Sequence, residues 1–336
     1  MRQIVFFWIC QAAFAQQAPP PPSSLKMTPI EKLSIPKSEE SLEDADQPQA
    51  ASLSGNGLFG VRDKEKRISA AQASLKKSPD DPDLRLNLGR LQDSFLRFNE
   101  SIGTYTNGVE KFPNDYRFLR MRGQRYLSVR KFEQGLEDLQ KAAKLVPNSF
   151  DAAYYLGLAY YFNGDHAKAA AEFWRCEDQM KRPLKEQADL KGGRSCDGLR
   201  EEENGRIPLQ YWRYLALRRA GLQAEAKKYL DEQVSGLLTI TTTKPFYDAL
   251  LFFKGVKEIN EMMAGANEGS RDFLTRSSGV ATFLFTEGER AKACGIWARN
   301  AMDQNWDHLG VINSESEYWQ NSRAACALYG SAAPPK

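Results

Sequence analysis

Five columns of residues recur at a spacing of 34 along the middle of this 336-residue chain. Two columns hold only proline or glycine, two hold small residues and one holds large apolar residues. They are Pro79, Pro113 and Pro147; Gly89, Gly123 and Gly157; Ser101, Gly135 and Ala169; Gly108, Ala142 and Cys176; and Tyr105, Leu139 and Phe173. A 34-residue period is typical of stacked helix–turn–helix repeats, each of which buries its faces against its neighbours. The sequence therefore predicts an all-α solenoid here.

The columns also indicate where each repeat begins and turns. Small residues let two helix backbones approach, and the large apolar column fills the gap beside them. Asp81 and Pro82 suit the N-cap and first turn of a helix, and Asn163-Gly164-Asp165 is a strong turn signal. We expect repeats at about 82–115, 116–149 and 150–183 within an array spanning 61–183, with one additional helix at 63–77 covering its first edge.

These columns resemble those of the tetratricopeptide repeat family, and the third repeat matches best. The resemblance implies a non-enzymatic scaffold without a cofactor, which binds a protein or peptide in a groove lined by the first helix of each repeat. Carried over by position, the lining residues are Leu86, Arg90, Arg117, Arg120, Gln124, Tyr154, Leu158, Tyr161 and Phe162. Arginines beside aromatic faces suit a peptide with carboxylates and apolar anchors.

Three positions qualify this resemblance. Tyr161 and Phe162 have an alternative role, in which they only pack against the next repeat. Leu86 and Arg90 replace the lysine and asparagine with which chaperone-binding relatives clamp a C-terminal carboxylate, so that ligand class is disfavoured. Arg122 stands where the family has an apolar residue, and we expect that position to be exposed.

The N-terminus has the order of a secretory signal peptide. A basic start, an apolar run from Ile4 to Cys10 and the small residues around Ala15 predict cleavage after Ala15. The run is too short to span a bilayer, so no transmembrane helix is expected in the mature chain. This predicts a periplasmic or secreted bacterial protein, the alternative being an apolar tail on a cytosolic one. Residues 16–60 hold seven of the sixteen prolines and predict a disordered linker.

Beyond the array, residues 184–206 have loop composition and 207–330 suggest further helical hairpins. Gly221 and Gly288 are each followed by alanine at an offset of five, as Gly164 is. The segment Ser314-Glu315-Ser316-Glu317 reads as a capping box that begins a last helix. This half resembles bacterial envelope tetratricopeptide proteins, one of which is a lipoprotein that docks peptidases and peptidoglycan enzymes. The resemblance implies an adaptor for envelope hydrolases or proteases, although the lipid-attachment cysteine is missing.

Residues that could carry chemistry are few. His166 and His308 are the only histidines, and the sequence lacks the HExxH, CxxC, phosphate-loop and Gly-x-Ser-x-Gly motifs. This disfavours a metal centre or a histidine-dependent hydrolase, and leaves a carboxylate-dependent envelope enzyme as the alternative to a scaffold. A net charge of +3 without an arginine-rich run argues against a nucleic-acid partner.

After signal cleavage four cysteines remain, which is an even number. In an oxidising compartment they can form disulfides, and the alternative is buried free thiols. One disulfide would join Cys176 to Cys196 and tie down the loop after the third repeat. The other would join Cys294 to Cys326 and hold the last helix.

Overall fold

The computed structural model describes residues 48–182, 190–321 and Cys326, so the predicted signal peptide and most of the predicted linker lie outside the described residues. Fourteen α-helices are present in the described part: α1 Arg67–Lys77, α2 Pro82–Ser94, α3 Phe98–Lys111, α4 Tyr116–Ser128, α5 Phe132–Leu145, α6 Phe150–Phe162, α7 His166–Met180, α8 Glu203–Arg219, α9 Gln223–Gln233, α10 Lys244–Phe253, α11 Ile259–Met263, α12 Arg271–Thr286, α13 Arg290–Asn300 and α14 Leu309–Asn321. Two short strands, β1 Ala50–Ala51 and β2 Gly57–Leu58, pair antiparallel, and Asp197–Leu199 forms a 3-10 turn. None of the described helices has the length and apolar character needed to cross a membrane.

The described residues confirm the predicted all-α architecture of helical hairpins. The pairs α2–α3, α4–α5 and α6–α7 pack as hairpins over residues 82–111, 116–145 and 150–180, and they stack on one another. Each hairpin turns through one residue in the left-handed region, with φ of 54° at Leu96, 62° at Arg130 and 83° at Gly164. The same turn recurs at Gly221 and Gly288, so α8–α9 and α12–α13 are built like the repeats.

The glycine and large apolar columns meet inside each repeat. A Cβ added at Gly89 would lie 2.3 Å from a ring carbon of Tyr105, and one at Gly157 would lie 2.3 Å from Phe173. These distances are shorter than van der Waals contact allows, so only glycine lets the two helices cross this closely. The 34-residue period therefore reflects a backbone contact that each hairpin repeats.

Arg122 is not exposed as its departure from the family pattern suggested. Its guanidinium donates to both carboxylate oxygens of Asp138 on α5, at 2.6 and 2.8 Å, and its side chain is 15% exposed. A third bond at 3.1 Å reaches Thr106 on α3. The ion pair takes the place of an apolar contact between the two helices of the second repeat.

The end of the predicted linker is ordered. Residues 48–60, expected to be disordered, carry the hairpin of β1 and β2, and Leu58 is buried in a cluster with Phe98 and Trp306. The indole of Trp306 donates to the carbonyl of Phe59 at 3.1 Å. Composition alone misled here because the few apolar residues of this stretch pack onto the helical body, not onto one another.

The loop insertion and the last helix also differ from expectation. Helix α8 begins at Glu203, before the predicted end of the loop at residue 206. Helix α14 begins at Leu309, so Ser314 to Glu317 lie inside it and do not form a capping box. All four of those side chains are buried, because α14 packs against α12, α13 and the array helix α6. The C-terminal helices therefore return to the repeats.

Both cysteine pairs are disulfide-bonded. Cys176 of α7 is joined to Cys196, which fixes the loop after the third repeat, and Ser195 in that loop forms a β-bridge with Ser149. Cys294 of α13 is joined to Cys326 beyond α14. The first bridge thus ties α7 to the loop that follows it, and the second ties α13 to Cys326, beyond α14.

Candidate binding groove

Five residues expected to line the groove are buried in the core instead. Leu86, Tyr154, Leu158, Tyr161 and Phe162 are each at most 8% exposed. Tyr161 and Phe162 pack against Trp212 of α8, with ring centres 5.4 and 5.9 Å apart, as the packing alternative describes. The C-terminal helices and the neighbouring repeats cover the face that these side chains would have offered to a ligand.

Arg117 is held by two carboxylates. Its guanidinium pairs with Asp115 at 2.7 Å and with Asp83 of the preceding repeat at 2.6 Å, and its side chain is 11% exposed. Burial acts to raise the pKa of Asp115, but hydrogen bonds from Arg117 and Lys191 outweigh it and hold that pKa below its usual value. Arg117 therefore ties two repeats together and is not free to bind a ligand.

The three remaining predicted residues, Arg90, Arg120 and Gln124, together with Tyr155 form what we define as the polar strip. The Gln124 amide nitrogen donates to the Tyr155 hydroxyl at 2.8 Å, and its oxygen accepts from Arg120 at 3.1 Å. The Arg120 guanidinium lies 6.0 Å from the centre of the Tyr155 ring. Arg90 is exposed on α2, one repeat before Gln124 in register. Tyr155 was not predicted, because the register carried over from the family selects its neighbour Tyr154.

Neither free arginine of the strip has an acidic partner in the part of the chain that the structure describes. By contrast, Arg117 and Arg122, which lie on α4 with Arg120, are both ion-paired. The Nε atom of Arg120 is buried without a hydrogen-bond partner among the described residues. The positive charge of Arg120 acts to lower the pKa of Asp93, but the two side chains do not form an ion pair. A guanidinium that is partly withdrawn from water without an ion-pair partner is an unfavourable arrangement that an anionic ligand would relieve.

Beside the strip lies a cavity of about 310 Å³, which we call the inter-segment cavity because its walls come from two remote parts of the chain. The array contributes residues of α4 and α6, and the C-terminal part contributes residues around α10, α12 and α14. The lining residues are Gln124, Arg125, Leu127, Ser128, Tyr155, Phe246, Arg271, Asp307, His308, Leu309 and Ile312. The side chain of Arg271 is 54% exposed, so the cavity reaches solvent on that side.

The titratable groups of the C-terminal wall are largely satisfied by one another. Arg271 pairs with Asp307 at 3.1 Å. Burial lowers the pKa of His308 to about 4, and the nearby positive charge of Arg271 acts in the same direction. Its Nδ1 accepts the backbone N–H of Gly310 at 3.2 Å, so near neutral pH the ring is uncharged and carries its proton on Nε2.

The buried acids of α14 hold this helix against earlier parts of the chain. Glu315 pairs with Arg130 at 2.6 Å, and Glu317 accepts from the Tyr161 hydroxyl at 2.7 Å and pairs with Arg219 at 3.0 Å. Burial raises the pKa of Glu317, while Arg219 and Tyr161 oppose that shift. Among the described residues no group of three or more His, Cys, Asp or Glu side chains is placed to hold a metal ion.

The sequence matches the family model described as tetratricopeptide repeat over residues 120–175. No match to a curated protein was found. Among solved structures, the chain resembles YrrB, described as a TPR protein with an unusual peptide-binding site, at 12% identity and a TM-score of 0.40, covering 68% of this chain and 97% of that one. It also resembles a tetratricopeptide repeat protein from Parabacteroides merdae, at 16% identity and a TM-score of 0.46, covering 76% and 91% of the two chains.

Proposed function

We propose that this chain, a tetratricopeptide repeat protein, is an interaction scaffold that binds an acidic segment of a partner protein along the polar strip. The observation that carries the proposal is the presence of two arginines, Arg90 and Arg120, without acidic partners in the described chain. They lie on the first helices of successive repeats, while neighbouring Arg117 and Arg122 are ion-paired. Guanidinium groups form bidentate hydrogen bonds with carboxylates, which suits a peptide with acidic side chains.

Tyr155 gives the strip an apolar contact beside its charges. Its ring is only half-buried and is held in place by the hydrogen bond from Gln124. Aromatic and arginine side chains contribute a large share of the binding energy at protein interfaces. An acidic segment with an aliphatic or aromatic residue next to its carboxylate would therefore match the strip.

The test is affinity capture from an envelope extract with residues 16–336 as bait. The double variant Arg90→Glu/Arg120→Glu should lose the partner, because it reverses both free charges. The matched control Lys141→Glu/Lys144→Glu makes the same change in net charge at exposed positions of α5 and should retain it. Capture by both variants alike would refute the strip as the binding surface. Circular dichroism melting of both variants excludes unfolding as the cause of a loss.

We further propose that the protein is exported and that its partner belongs to the cell envelope. The signal-like N-terminus supports export, and so do the two disulfides, which persist in oxidising compartments. N-terminal sequencing of the protein from a periplasmic fraction should begin at Gln16, and recovery of Met1 from cytosol alone would contradict export. A captured hydrolase or protease would establish an adaptor. Turnover of peptidoglycan by the pure protein, abolished by one acid substitution, would replace the scaffold with an enzyme.

A further inference from the structure

We propose that the inter-segment cavity binds a small carboxylic acid with an apolar tail. This site is separate from the exposed arginine of the strip and does not depend on the proposed protein partner. The two share Gln124 and Tyr155, but the cavity is also lined by Phe246, Leu309 and Ile312, which do not belong to the repeats.

The array wall of the cavity carries one arginine, Arg125, and no carboxylate among its lining residues. The nearest carboxylate to Arg125 is that of Asp93, 3.8 Å away, and the Nε atom of Arg125 is buried without a hydrogen-bond partner among the described residues. Asp93 does not line the cavity, and its Oδ2 accepts the Tyr105 hydroxyl at 2.8 Å. An anion in the cavity would give the Nε atom of Arg125 the acceptor that it lacks.

The opposite wall does not supply that anion. Asp307 is the one carboxylate among the lining residues, and it is engaged by Arg271. His308 is neutral near pH 7, since burial holds its pKa at about 4. The Tyr155 hydroxyl accepts from Gln124, so its own proton remains available to an acceptor on a ligand. The Arg125 guanidinium and the Tyr155 hydroxyl both line the cavity and match the two oxygens of a carboxylate.

The rest of the cavity favours an apolar tail. Leu127, Phe246, Leu309 and Ile312 supply its apolar lining. A volume of about 310 Å³ lies at the lower end of the range for small-molecule sites, which begins near 300 Å³. The ligand is therefore compact, with one acidic head and a short aliphatic or aromatic tail.

Isothermal titration calorimetry on residues 16–336 tests this inference with two probes, 3-phenylpropanoate and 4-methylpentanoate, and with their neutral amides. At least one acid should bind, and its amide should bind about tenfold more weakly or not at all, because it lacks the charge that Arg125 recognises. Arg125→Gln should weaken acid binding by a similar factor, and Tyr155→Phe should weaken it by a smaller one. Lys141→Gln on α5 is the matched control and should leave the affinity unchanged.

Three results would overturn the inference: no heat from either acid at millimolar concentration, equal affinity for acid and amide, or unchanged affinity in Arg125→Gln. The single variant Arg90→Glu separates this site from the polar strip, because Arg90 does not line the cavity. It should weaken capture of the protein partner without changing the affinity for the acid. Failure of one proposal is thus distinguishable from failure of the other.

Discussion

The buried ion pair between Arg130 and Glu315 should be among the most sensitive points of this fold. The Nε and Nη2 atoms of Arg130 donate to one oxygen of Glu315, at 2.8 and 2.6 Å, and both side chains are at most 4% exposed. A third donor of Arg130 reaches the carbonyl of Trp306 at 3.0 Å, and the other oxygen of Glu315 accepts the backbone N–H of Leu53. The pair therefore joins the turn of the second repeat to α14 and to the N-terminal hairpin.

Glu315→Gln keeps the shape of the side chain and removes its charge, which leaves the guanidinium of Arg130 buried without a counter-charge. Breaking one partner of a buried pair costs about 3–5 kcal/mol. That is a large share of the roughly 5–15 kcal/mol that stabilises a typical domain. Arg130→Met should cost about as much for the converse reason. The double variant Arg130→Met/Glu315→Leu should cost much less than the sum of the two single-variant costs, because no uncompensated charge remains.

Equilibrium unfolding in urea measures these changes, followed by tryptophan fluorescence and by circular dichroism. Fluorescence reports on the tryptophans of the chain, among them Trp306 beside the pair, and circular dichroism reports on the helices as a whole. Lys227→Gln is the control, since it breaks an exposed pair whose partners are 78% and 50% exposed and should cost under about 1 kcal/mol. The reasoning is wrong if Glu315→Gln costs no more than this control, or if the effects of the two single variants simply add.

Three further predictions concern stability. Gly157→Leu should cost several kcal/mol by overpacking the helix crossing, whereas Gly103→Leu, where an added Cβ has open space, should not shift the urea midpoint downwards. Burial holds the pKa of His166 and of His308 at about 4, against 6.5 when solvated, so the unfolded chain binds more protons between these values. The free energy of unfolding should fall as the pH is lowered from 6.5 towards 4, and less steeply in His166→Gln/His308→Gln. Reducing both disulfides should lower the free energy of unfolding by about 3 kcal/mol for each loop released, which the urea midpoint with and without reductant would measure.

The sequence predicts the repeats because their decisive contacts are local. Gly157 and Phe173 meet within a single hairpin, and the period of 34 repeats that meeting three times. The sequence could not reveal that Arg130 meets a partner 185 residues away, because no pattern within a hairpin records which remote segment will cover it. The expected exposure of Arg122 is wrong for a related reason. An arginine at an apolar position can be buried when an acidic residue across the hairpin pairs with it, as Asp138 does here.

Only part of the binding groove could be predicted, because contacts within a repeat follow from the sequence pattern and contacts with remote segments do not. Register within the repeat places Arg120 and Gln124 on the polar strip, but it cannot tell which positions the C-terminal helices cover. Tyr161 was expected to line the groove, but it is buried beneath α14, where its hydroxyl donates a hydrogen bond to Glu317. The expectation of a capping box at residues 314–317 fails for the same reason. These residues are buried inside α14, and the Ser316 hydroxyl donates to the carbonyl of Phe162, which is remote in sequence.

Closure of the chain on itself changes how this solenoid should respond to a ligand. In an open array each repeat contacts only its neighbours, so the stability of one end is independent of the other. Here α14 contacts α6 and the turn of the second repeat, and the inter-segment cavity has one wall from each part. A ligand in that cavity binds only when both walls are in place, so it stabilises the docked position of α14 by mass action. The ligand would thereby couple the C-terminal helices to the array, and the protection of α14 amides from hydrogen exchange should rise with its concentration.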